Sequence, residues 1–462
     1  MWNRVIFPDN LKSGCITPIF KGGKQDKLNN YRPVCSLSPL SKIIEKVVAN
    51  RMIDFLEGCN SFSNSQYGFR KNMGTETALI NYIQYIQNQL SDKKYTISVF
   101  MDLSKAFDVI NHNILKTKLE HYGFRGHFLN FIMNFIRNRE YFANCNGVIS
   151  DKKRVHMGVP QGSTLGPLLF LIYINDMNNC SDLIFLTQFA DDSTATLSSD
   201  NLKSVMVNVE REFHKVLDWL ATNKLIINLN KTHLMLFSNL PRPESISISA
   251  KGYKINEVKD TKFLGIILDN QLKWKPHIDY ISNKISKSIS ILKMLKFTFP
   301  SGILLNIYYS LVYLYFTYCN LVWGGAANIH LDSIIKLQKK ALRIISKVGY
   351  LDHSQPLFDN LKLLKVEEIY KFNCAKFIYQ CYNTNSLGNF KKLLNTNGTY
   401  HSYFTRNKDS LRKPKVRLMK FKNSFINHGI DTWNVLHDCI KYSPNITIFK
   451  KQLKAFMTNN DN

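Results

Sequence analysis

The chain has 462 residues, which is enough to bury more than one hydrophobic core and suggests two or three domains. Lys and Arg total 61 against 34 Asp and Glu, giving a formal net charge of +27. This excess of positive charge is unusual for a metabolic enzyme and typical of a protein that binds along a row of phosphate groups. A protein that is merely kept soluble by its charge is the simpler alternative. About half of the excess lies in residues 331–462, where 23 Lys and Arg accompany 9 Asp and Glu.

The cysteines and the apolar segments further narrow the class of protein that the sequence can represent. Nine cysteines are scattered along the chain, with no Cys-x-x-Cys pair and no Cys/His set at zinc-ligand spacing. We therefore predict reduced thiols in an intracellular protein, and the N-terminus lacks the features of a signal peptide. The uncharged run 303–329 has polar residues and five tyrosines through its middle, which favours buried helices over a membrane span.

The first ninety residues combine helices with basic, glycine-containing loops. Residues 16–24 predict a strand that runs into a basic glycine turn, and helices are predicted over about 38–57 and 75–90. The segment Gly68 to Lys71 again places basic residues next to a glycine. Backbone N–H groups and basic side chains in such loops can approach a phosphate closely, although basic loops are common.

A first candidate carboxylate ends a buried strand. Residues 95–102 form a continuous apolar run that stops at Asp102. A strand end followed by a turn can present a carboxylate to a metal ion or a substrate. The competing interpretation is an Asp that caps the next element.

The next segment contains a turn with several glycines and prolines. Two helices are predicted within 111–138 and a hairpin within 139–156. The turn from Gly158 to Pro167 then opens an apolar helix. Gln161 and Gly162 lie in this turn, where a base or a sugar could approach the backbone closely.

The sequence Phe189-Ala190-Asp191-Asp192 joins two predicted strands through a tight turn. Adjacent carboxylates at a buried hairpin tip repel each other unless a cation neutralises them. Taken alone, the segment is better explained as an Asp-rich surface turn. An amphipathic helix is predicted over 201–222, and a turn with Lys231 at its bend leads into a strand that ends near residue 237. A solvated lysine is the default interpretation of Lys231.

The rest of the chain is predicted to be mostly helical. Residues 254–270 predict a hairpin, 275–348 a run of helices, and 349–462 a helical and loop-rich region with a basic run at 412–417. Together, Asp102, Asp191 and Asp192 give three carboxylates from two neighbouring strands. Hard divalent ions such as Mg²⁺ prefer oxygen ligands, and two such ions about 4 Å apart can activate a 3′-hydroxyl and stabilise a leaving pyrophosphate.

Seven motifs in a fixed order resemble the reverse transcriptases of non-LTR retrotransposons, the LINE-type elements, and most closely the jockey-like kind. The resemblance covers roughly residues 1–350. Its motifs are Tyr31-Arg32-Pro33 with Ser41 to Lys46, Gln66 to Arg70, Met101 to Asp108, Gly158 to Pro167, Phe189 to Asp192, Asn228 to Lys231 and Phe263 to Gly265.

The resemblance implies an α+β right-hand polymerase fold: fingers, a palm with a small antiparallel sheet, a helical thumb and a basic helical C-terminal region. The implied boundaries are 1–95 for the fingers, 96–270 for the palm with embedded fingers elements and the primer grip, 271–348 for the thumb and 349–462 for the C-terminal region. The chain starts inside the fingers of the family pattern and lacks a recognisable endonuclease. We therefore expect a truncated copy or an incomplete part of a longer element protein.

The resemblance also implies roles for single residues. Asp102, Asp191 and the Leu103 carbonyl would hold two metal ions, with Asp192 as a secondary ligand or electrostatic support. Lys231 would protonate the departing pyrophosphate as a general acid. The implied nucleotide-binding residues are Arg70 at the triphosphate, Phe107 as a gate against the ribose 2′-hydroxyl, and Gln161 with Gly162 at the template and nascent pair. Phe263, Leu264 and Gly265 would form the primer grip.

The expected function is RNA-directed DNA polymerisation, with two Mg²⁺ ions as cofactor and Mn²⁺ as an alternative ion. The expected partners are an RNA template, a DNA primer, their RNA/DNA hybrid and dNTPs, with no membrane; the sequence gives no oligomeric state. A location in the nucleus and cytoplasm is expected from the type of element. The alternatives are a catalytically inactive nucleic-acid-binding relic and a group II intron-type maturase, which would need a splicing-associated domain.

Overall fold

The computed structural model describes residues 6–383, 388–391, 394–399, 408–414, 421–422 and 424–459. Part of the predicted basic run, 415–417, lies outside these residues. The strands are β1 Ser13–Phe20, β2 Tyr31–Ser36, β3 Tyr95–Asp102, β4 Arg139–Cys145, β5 Val148–Ile149, β6 Lys153–Val155, β7 Phe185–Phe189, β8 Asp192–Ser199, β9 His233–Phe237, β10 Ser247–Ala250, β11 Tyr253–Asn256, β12 Asp260–Phe263 and β13 Ile266–Asp269.

The helices alternate with the strands in the first half of the chain and dominate the second half. They are α1 Pro39–Gly58, α2 Thr75–Ser91, α3 His112–His121, α4 Gly126–Ile136, α5 Gly166–Ile174, α6 Leu202–Thr222, α7 Lys275–Leu295, α8 Ser301–Tyr308, α9 Leu314–Thr317, α10 Asn320–Trp323, α11 Asn328–Ile345, α12 Gln355–Leu361, α13 Val366–Asn383, α14 Gly388–Lys391, α15 Phe425–Val435, α16 Asp438–Lys441 and α17 Ile446–Asn459. The α+β class with a helical C-terminal region is therefore confirmed.

The chain divides into two compact units. The first contains residues 1–74, 95–236 and 241–257, and the second contains 75–94, 237–240 and 258–462. This division groups α2 and the β12–β13 hairpin with the C-terminal helices. It does not test the functional boundaries of fingers, palm and thumb, which stay predictions.

In the first unit, a four-stranded sheet in the order β7-β8-β3-β9 carries the predicted carboxylates. The strands β7 and β8 form a hairpin, and β8 runs antiparallel to β3. Residues Thr96 to Met101 of β3 are buried in succession, as expected for a strand covered on both faces. Because α6 is amphipathic, its buried face, including Val205, Val209 and Phe213, joins the same core.

A second sheet in the first unit places the predicted fingers hairpin beside β4. The strands β1 and β2 pair antiparallel, while β1 and β4 pair in parallel. The hairpin predicted within 139–156 is present as β4 with β5 and β6. Neighbouring α1 deviates from simple apolar patterning, because Ile43 and Val47 are exposed while Glu45 is 1% exposed.

The second unit is mostly helical around its own core. That core includes Ile80 of α2 together with residues of α13, α15 and α17 such as Ile378, Ile430 and Leu453. The uncharged run 303–329 folds as α8, a π-helical turn at Tyr309–Tyr313, α9 and α10. Among the described helices, none is both long and apolar enough to cross a membrane.

Candidate active site

The two acidic segments meet at the end of one sheet. Antiparallel pairing of β3 with β8 sets Asp102 directly opposite Asp192, so their carboxylates start from neighbouring backbones. Asp191 precedes β8 in the tight turn, and Ala190 adopts the left-handed φ of 55° that this turn requires. The hairpin and strand end predicted from the sequence thus bring Asp102, Asp191 and Asp192 together.

The turn at Ala190 is held by the segment Ser65–Gly68. The Gln66 side-chain oxygen accepts hydrogen bonds from the backbone N–H groups of Gly68, at 2.8 Å, and of Ala190, at 3.2 Å. On the same side, the Tyr67 N–H donates to the Gln188 carbonyl at 2.9 Å. A Cβ at Gly68 would lie 2.5 Å from the Ala190 nitrogen, so only glycine permits this approach. The segment therefore positions the carboxylate turn from outside.

Charge accumulates at this turn. Burial raises the pKa of Asp191, the Asp102 carboxylate adds to the rise, and Arg32 and Lys231 oppose it. Asp192 keeps an exposed surface, yet loss of water around its carboxyl, followed by repulsion from Asp191 and Asp102, raises its pKa to about 6. Carboxylates that repel each other in this way favour a neighbouring cation.

Asp102 has two partners from the segment before β9. The Asn228 amide donates to Asp102 Oδ2 at 3.1 Å, and the Lys231 Nζ atom lies 3.2 Å from the same oxygen. Lys231 is therefore at the carboxylate cluster, although two-thirds of its side chain is exposed. Lys231 is thus a solvated lysine that also contacts the carboxylate cluster, and its role as a general acid stays a prediction.

The Leu103 carbonyl, directly after β3, takes no part in the hydrogen bonds of the neighbouring β-bridge. Leu103 and Ile227 form an antiparallel bridge whose hydrogen bonds are made by their neighbours. The Asn228 N–H donates to the Asp102 carbonyl, and the Ser104 N–H donates to the Ile226 carbonyl. The Leu103 carbonyl is consequently not used by this bridge, which is compatible with the predicted ligand role.

The donor set fits a hard divalent ion by its chemistry, with three carboxylates and a nearby carbonyl. Within the described ranges, however, no group of three or more His, Cys, Asp or Glu side chains is arranged closely enough to hold a metal ion as it stands. The partners of the Asp102 carboxylate among the described residues include Lys231 and Asn228. Metal ligation by Asp102, Leu103, Asp191 and Asp192 stays a prediction.

The predicted sugar gate, Phe107, follows the end of β3 by five residues. Phe107 is half-buried and packs against Phe170 of α5, with ring centroids 4.7 Å apart. Its carbonyl accepts from the Val159 N–H at 2.9 Å, which ties this turn to the segment that carries Gln161. The ring is thus fixed from one side and partly accessible on the other.

The turn from Gly158 to Pro167 is held by two carboxylates. The Gln161 amide donates to Asp108 at 2.7 Å, and Gly162, with φ of 118°, packs so closely that a Cβ would overlap the Cys35 carbonyl oxygen. Further along, the buried Glu45 accepts from the backbone N–H of Thr164 at 2.6 Å. Backbone N–H groups ahead of α5 are thereby satisfied by an α1 side chain.

Arg70 is occupied by contacts within the protein. Its Nε and Nη2 atoms donate to both carboxylate oxygens of Glu57, at 3.1 and 3.0 Å, and Nη1 donates to the Ser63 carbonyl at 2.9 Å. The side chain is only 10% exposed. Its predicted contact with a triphosphate stays untested and would require these bonds to be exchanged. Arg32 of β2, in contrast, is exposed and acts electrostatically on Asp191.

The predicted primer grip belongs to the second unit. Leu264 and Gly265 both have positive φ, 46° and 84°, as in a two-residue hairpin turn between β12 and β13. The Tyr318 hydroxyl donates to the Leu264 carbonyl at 2.9 Å. Phe263 is buried and lies edge-on to Tyr82, with ring centroids 5.7 Å apart. This turn is therefore rigid and largely apolar.

A family model described as "Reverse transcriptase (RNA-dependent DNA polymerase)" matches residues 21–268. This match covers more than half of the chain, which therefore belongs to the reverse transcriptase family.

The chain is similar to the RNA-directed DNA polymerase from mobile element jockey of Drosophila melanogaster, with 28% identity over 372 residues, 78% of this chain and 40% of the relative. It is also similar to the probable RNA-directed DNA polymerase from transposon BS of the same organism, with 28% identity over 79% of this chain and 41% of the relative. The predicted resemblance to jockey-like elements is confirmed. The chain spans about 40% of the length of these curated relatives. A solved structure of apo telomerase from Candida tropicalis overlaps 84% of this chain and 70% of that chain, at 14% identity and a TM-score of 0.42.

Sequence patterns did not predict the positioning roles of Gln66, Glu45, Asn228 and Arg32. Gln66, Asn228 and Arg32 lie inside the motifs that carry the family resemblance, and those motifs were the only sequence signal for their roles. Glu45 had one further signal, because it is an acidic residue within the apolar stripe of a predicted helix.

Proposed function

We propose that this chain is the polymerase part of a non-LTR retrotransposon protein and that it extends a DNA primer on an RNA template with dNTPs. The observation that carries the proposal is the meeting of Asp102, Asp191 and Asp192 at one end of a sheet. Membership in the reverse transcriptase family supports it further. A formal net charge of +27 suits a protein that holds two nucleic acid strands.

Asp102, Asp191, Asp192 and the Leu103 carbonyl would hold two Mg²⁺ ions. When bound, such ions lower the pKa of a primer 3′-hydroxyl and stabilise charge on the leaving pyrophosphate. The raised pKa of Asp191 and the pKa of about 6 for Asp192 support this assignment, because burial and repulsion between neighbouring carboxylates cause both shifts and a bound cation would offset them.

The remaining side chains would orient the substrate and handle protons. Lys231, 3.2 Å from Asp102, would leave that carboxylate for the departing pyrophosphate and donate its proton there. Phe107 would contact the sugar, and Gln161, oriented by Asp108, would contact the nascent pair. Arg32 would lie near the triphosphate, because its side chain is exposed and its positive charge lowers the pKa of the nearby Asp191.

The direct test is extension of an annealed DNA primer on an RNA template with dNTPs and Mg²⁺. Asp191→Asn should abolish extension, a loss of more than roughly 10³-fold, because it removes a charge that only the reacting complex uses fully. Asp200→Asn is the matched control, since Asp200 is exposed and follows the other end of β8. Wild-type extension rates in the Asp191→Asn protein would reject the site, and failure of the wild-type chain to extend while binding the duplex would support the inactive relic.

Sugar selection gives a second test. Phe107→Val should raise the rate of rNTP use relative to dNTP use by roughly tenfold, the scale on which a pocket senses one or two carbon atoms. The measurement is single-nucleotide incorporation with each nucleotide, expressed as a ratio of kcat/KM values. The ratio cancels the general loss expected from weaker packing on Phe170. An unchanged ratio would remove Phe107 from the gate role.

A further inference from the structure

Tyr318 connects the turn at Leu264 and Gly265 with a bend in the chain of the second unit. Its hydroxyl donates to the Leu264 carbonyl at 2.9 Å, and the Thr75 hydroxyl of α2 lies 3.3 Å from the same oxygen. A Cβ at Gly265 would lie 3.0 Å from the Tyr318 ring, so the turn and the ring are in close contact. The position of the turn therefore depends on where the Tyr318 side chain is held.

The bend begins at Tyr318, between helices α9 and α10. Cys319 has a φ of 48°, in the left-handed region that a residue with a Cβ enters only at an energetic cost. The Trp323 indole N–H donates to the Tyr318 carbonyl at 3.0 Å and closes the bend from its own side. Because a strained backbone persists only where its surroundings hold it, the bend needs contacts from neighbouring elements.

Helix α13, in the predicted C-terminal region, makes such a contact. The Asn373 amide donates to Asn320 Oδ1 at 2.9 Å, and Lys376 Nζ donates to Asn373 Oδ1 at 3.1 Å. Asn320 is 1% exposed and Asn373 is 8% exposed. Buried amides destabilise a fold unless they are hydrogen-bonded, so this pairing holds both side chains in place.

Close packing joins the same two elements. A Cβ at Gly324, directly after α10, would lie 2.5 Å from the Tyr370 ring of α13. Glycine thus allows α10 and α13 to approach each other more closely than another residue would. A shift of α13 is therefore transmitted to the bend that carries Tyr318.

These contacts give a path from α13 to the turn through Lys376, Asn373, Asn320, Tyr318 and Leu264. We propose that Asn373 is a positioning residue that holds the predicted primer-grip turn in place through Asn320 and Tyr318. The inference rests on the proposed function for the presence of a primer at this turn. It gives the C-terminal region a role in primer placement, whereas an ordinary core contact would affect only the stability of the fold.

Hydrogen exchange of the full chain measures this positioning without any need for activity. Asn373→Leu keeps a side chain of similar size but leaves the buried Asn320 Oδ1 without this donor. Peptides that cover residues 260–269 should exchange about threefold faster than in the wild type, while peptides that cover α11 stay within about 1.5-fold. Equal exchange at the turn in variant and wild type, or an equal rise in α11, would overturn the inference.

Two further variants complete this measurement. Asn383→Leu is the matched control, because Asn383 is exposed at the end of α13, donates to the Tyr379 carbonyl of its own helix and should leave exchange at the turn unchanged. Asn373→Ser replaces the leucine variant if that protein does not fold. Its hydroxyl is too short to replace the amide contact with Asn320, so the same rise is expected. Wild-type exchange at the turn in folded Asn373→Ser would equally reject the role of Asn373.

Primer extension connects the contact with the proposed reaction. Asn373→Leu should raise KM for the primer–template about threefold and leave kcat within about twofold, because the turn acts on primer placement. Combined with Tyr318→Phe, it should add less than about 1.5-fold, since both changes release the Leu264 carbonyl. Full multiplication of the two effects in the double variant would separate Asn373 from Tyr318 and overturn the inference.

The two measurements distinguish this inference from the proposed function. Faster exchange at the turn in a chain that extends no primer would reject polymerase activity and retain Asn373 as the residue that holds the turn. Extension by the wild type, with KM and exchange unchanged in Asn373→Leu, would retain the activity and reject the role of Asn373.

Discussion

The turn at Ala190 and Asp191 and the turn at Leu264 and Gly265 both depend on left-handed backbone, but they are restrained differently. The first is held through backbone groups by the Gln66 side chain and by the close approach of Gly68. The second is held by the Tyr318 hydroxyl at its carbonyl, and its own side chains are buried. Both turns are fixed, yet only the first presents charged groups.

The difference follows from what each turn has to present. Restraint at the backbone of Ala190 leaves the carboxylates of Asp191 and Asp192 available. Their pKa values rise because the carboxylates are partly buried and repel their acidic neighbours, and nearby basic side chains offset this only in part. The apolar turn at Leu264 needs no such compensation and can be packed fully. The first turn therefore carries an electrostatic cost, because it holds carboxylates close to one another. The second turn presents no charged side chain and has no such cost.

Among changes to the groups that hold the two turns, the largest effect is expected at Gly68, which braces the first turn. Gly68→Ala should lower kcat of primer extension roughly 10–100-fold, the range for groups that orient a metal ligand, because the new methyl group would displace Ala190. Affinity for the primer–template, measured without dNTPs, should stay within twofold of the wild type. Gly74→Ala is the matched control, since a Cβ there would have no atoms within 4 Å. Equal losses in both variants would show that Gly68 has no special positioning role.

The charge on the first turn predicts a pH dependence. Because the pKa of Asp192 is about 6, protons compete with Mg²⁺ below that value, and the Mg²⁺ concentration for half-maximal extension should rise about tenfold from pH 7 to pH 5. Asp192→Asn should flatten this dependence. A pH-independent Mg²⁺ requirement in the wild type would separate Asp192 from the ion.

The same raised pKa values fix the sign of a stability effect without divalent ions. Between about pH 4 and pH 6, the folded protein binds more protons at Asp192 than the unfolded chain does. Stability should therefore fall as the pH rises through this window and level off above it. Mg²⁺ should reduce the fall, as measured by thermal unfolding at each pH.

The smallest effect is expected at the second turn. Tyr318→Phe removes one hydrogen bond to Leu264, worth about 1 kcal/mol, so KM for the primer–template should rise about fivefold while kcat changes little. Tyr315→Phe in the preceding helix α9 is the control, because among the described residues the Tyr315 hydroxyl forms no hydrogen bond with this turn. A large fall in kcat for Tyr318→Phe would mean that the second turn, like the first, acts on the chemical step.

Local patterns were enough for the elements that carry the carboxylates. The apolar run before Asp102 and the β-branched flanks of Ala190 to Asp192 predict a strand and a hairpin because their side-chain alternation and burial are properties of adjacent residues. The order of the motifs predicted the family for a related reason, since chemistry restricts residue types at those positions.

The contacts between distant segments could not be predicted in the same way. Arg70 is a basic residue in a glycine-containing loop, which is typical of phosphate-binding sites. Its hydrogen-bond donors, however, are taken by Glu57 and by backbone carbonyls. Glu45 lies in the stripe of a helix, where an apolar residue is expected, and it instead satisfies backbone N–H groups of a turn more than a hundred residues away. Such pairings depend on which free donors and acceptors the fold brings together.

The sequence by itself determined the α+β class, the strand and turn that present Asp102, Asp191 and Asp192, and the membership in the reverse transcriptase family. The tertiary structure decided how those carboxylates are held and what surrounds them: Gln66 at the turn, and Asn228 and Lys231 at Asp102. The physical reason is that hydrogen-bond satisfaction and desolvation depend on neighbours in space, whereas periodicity and turn chemistry depend on neighbours in the chain.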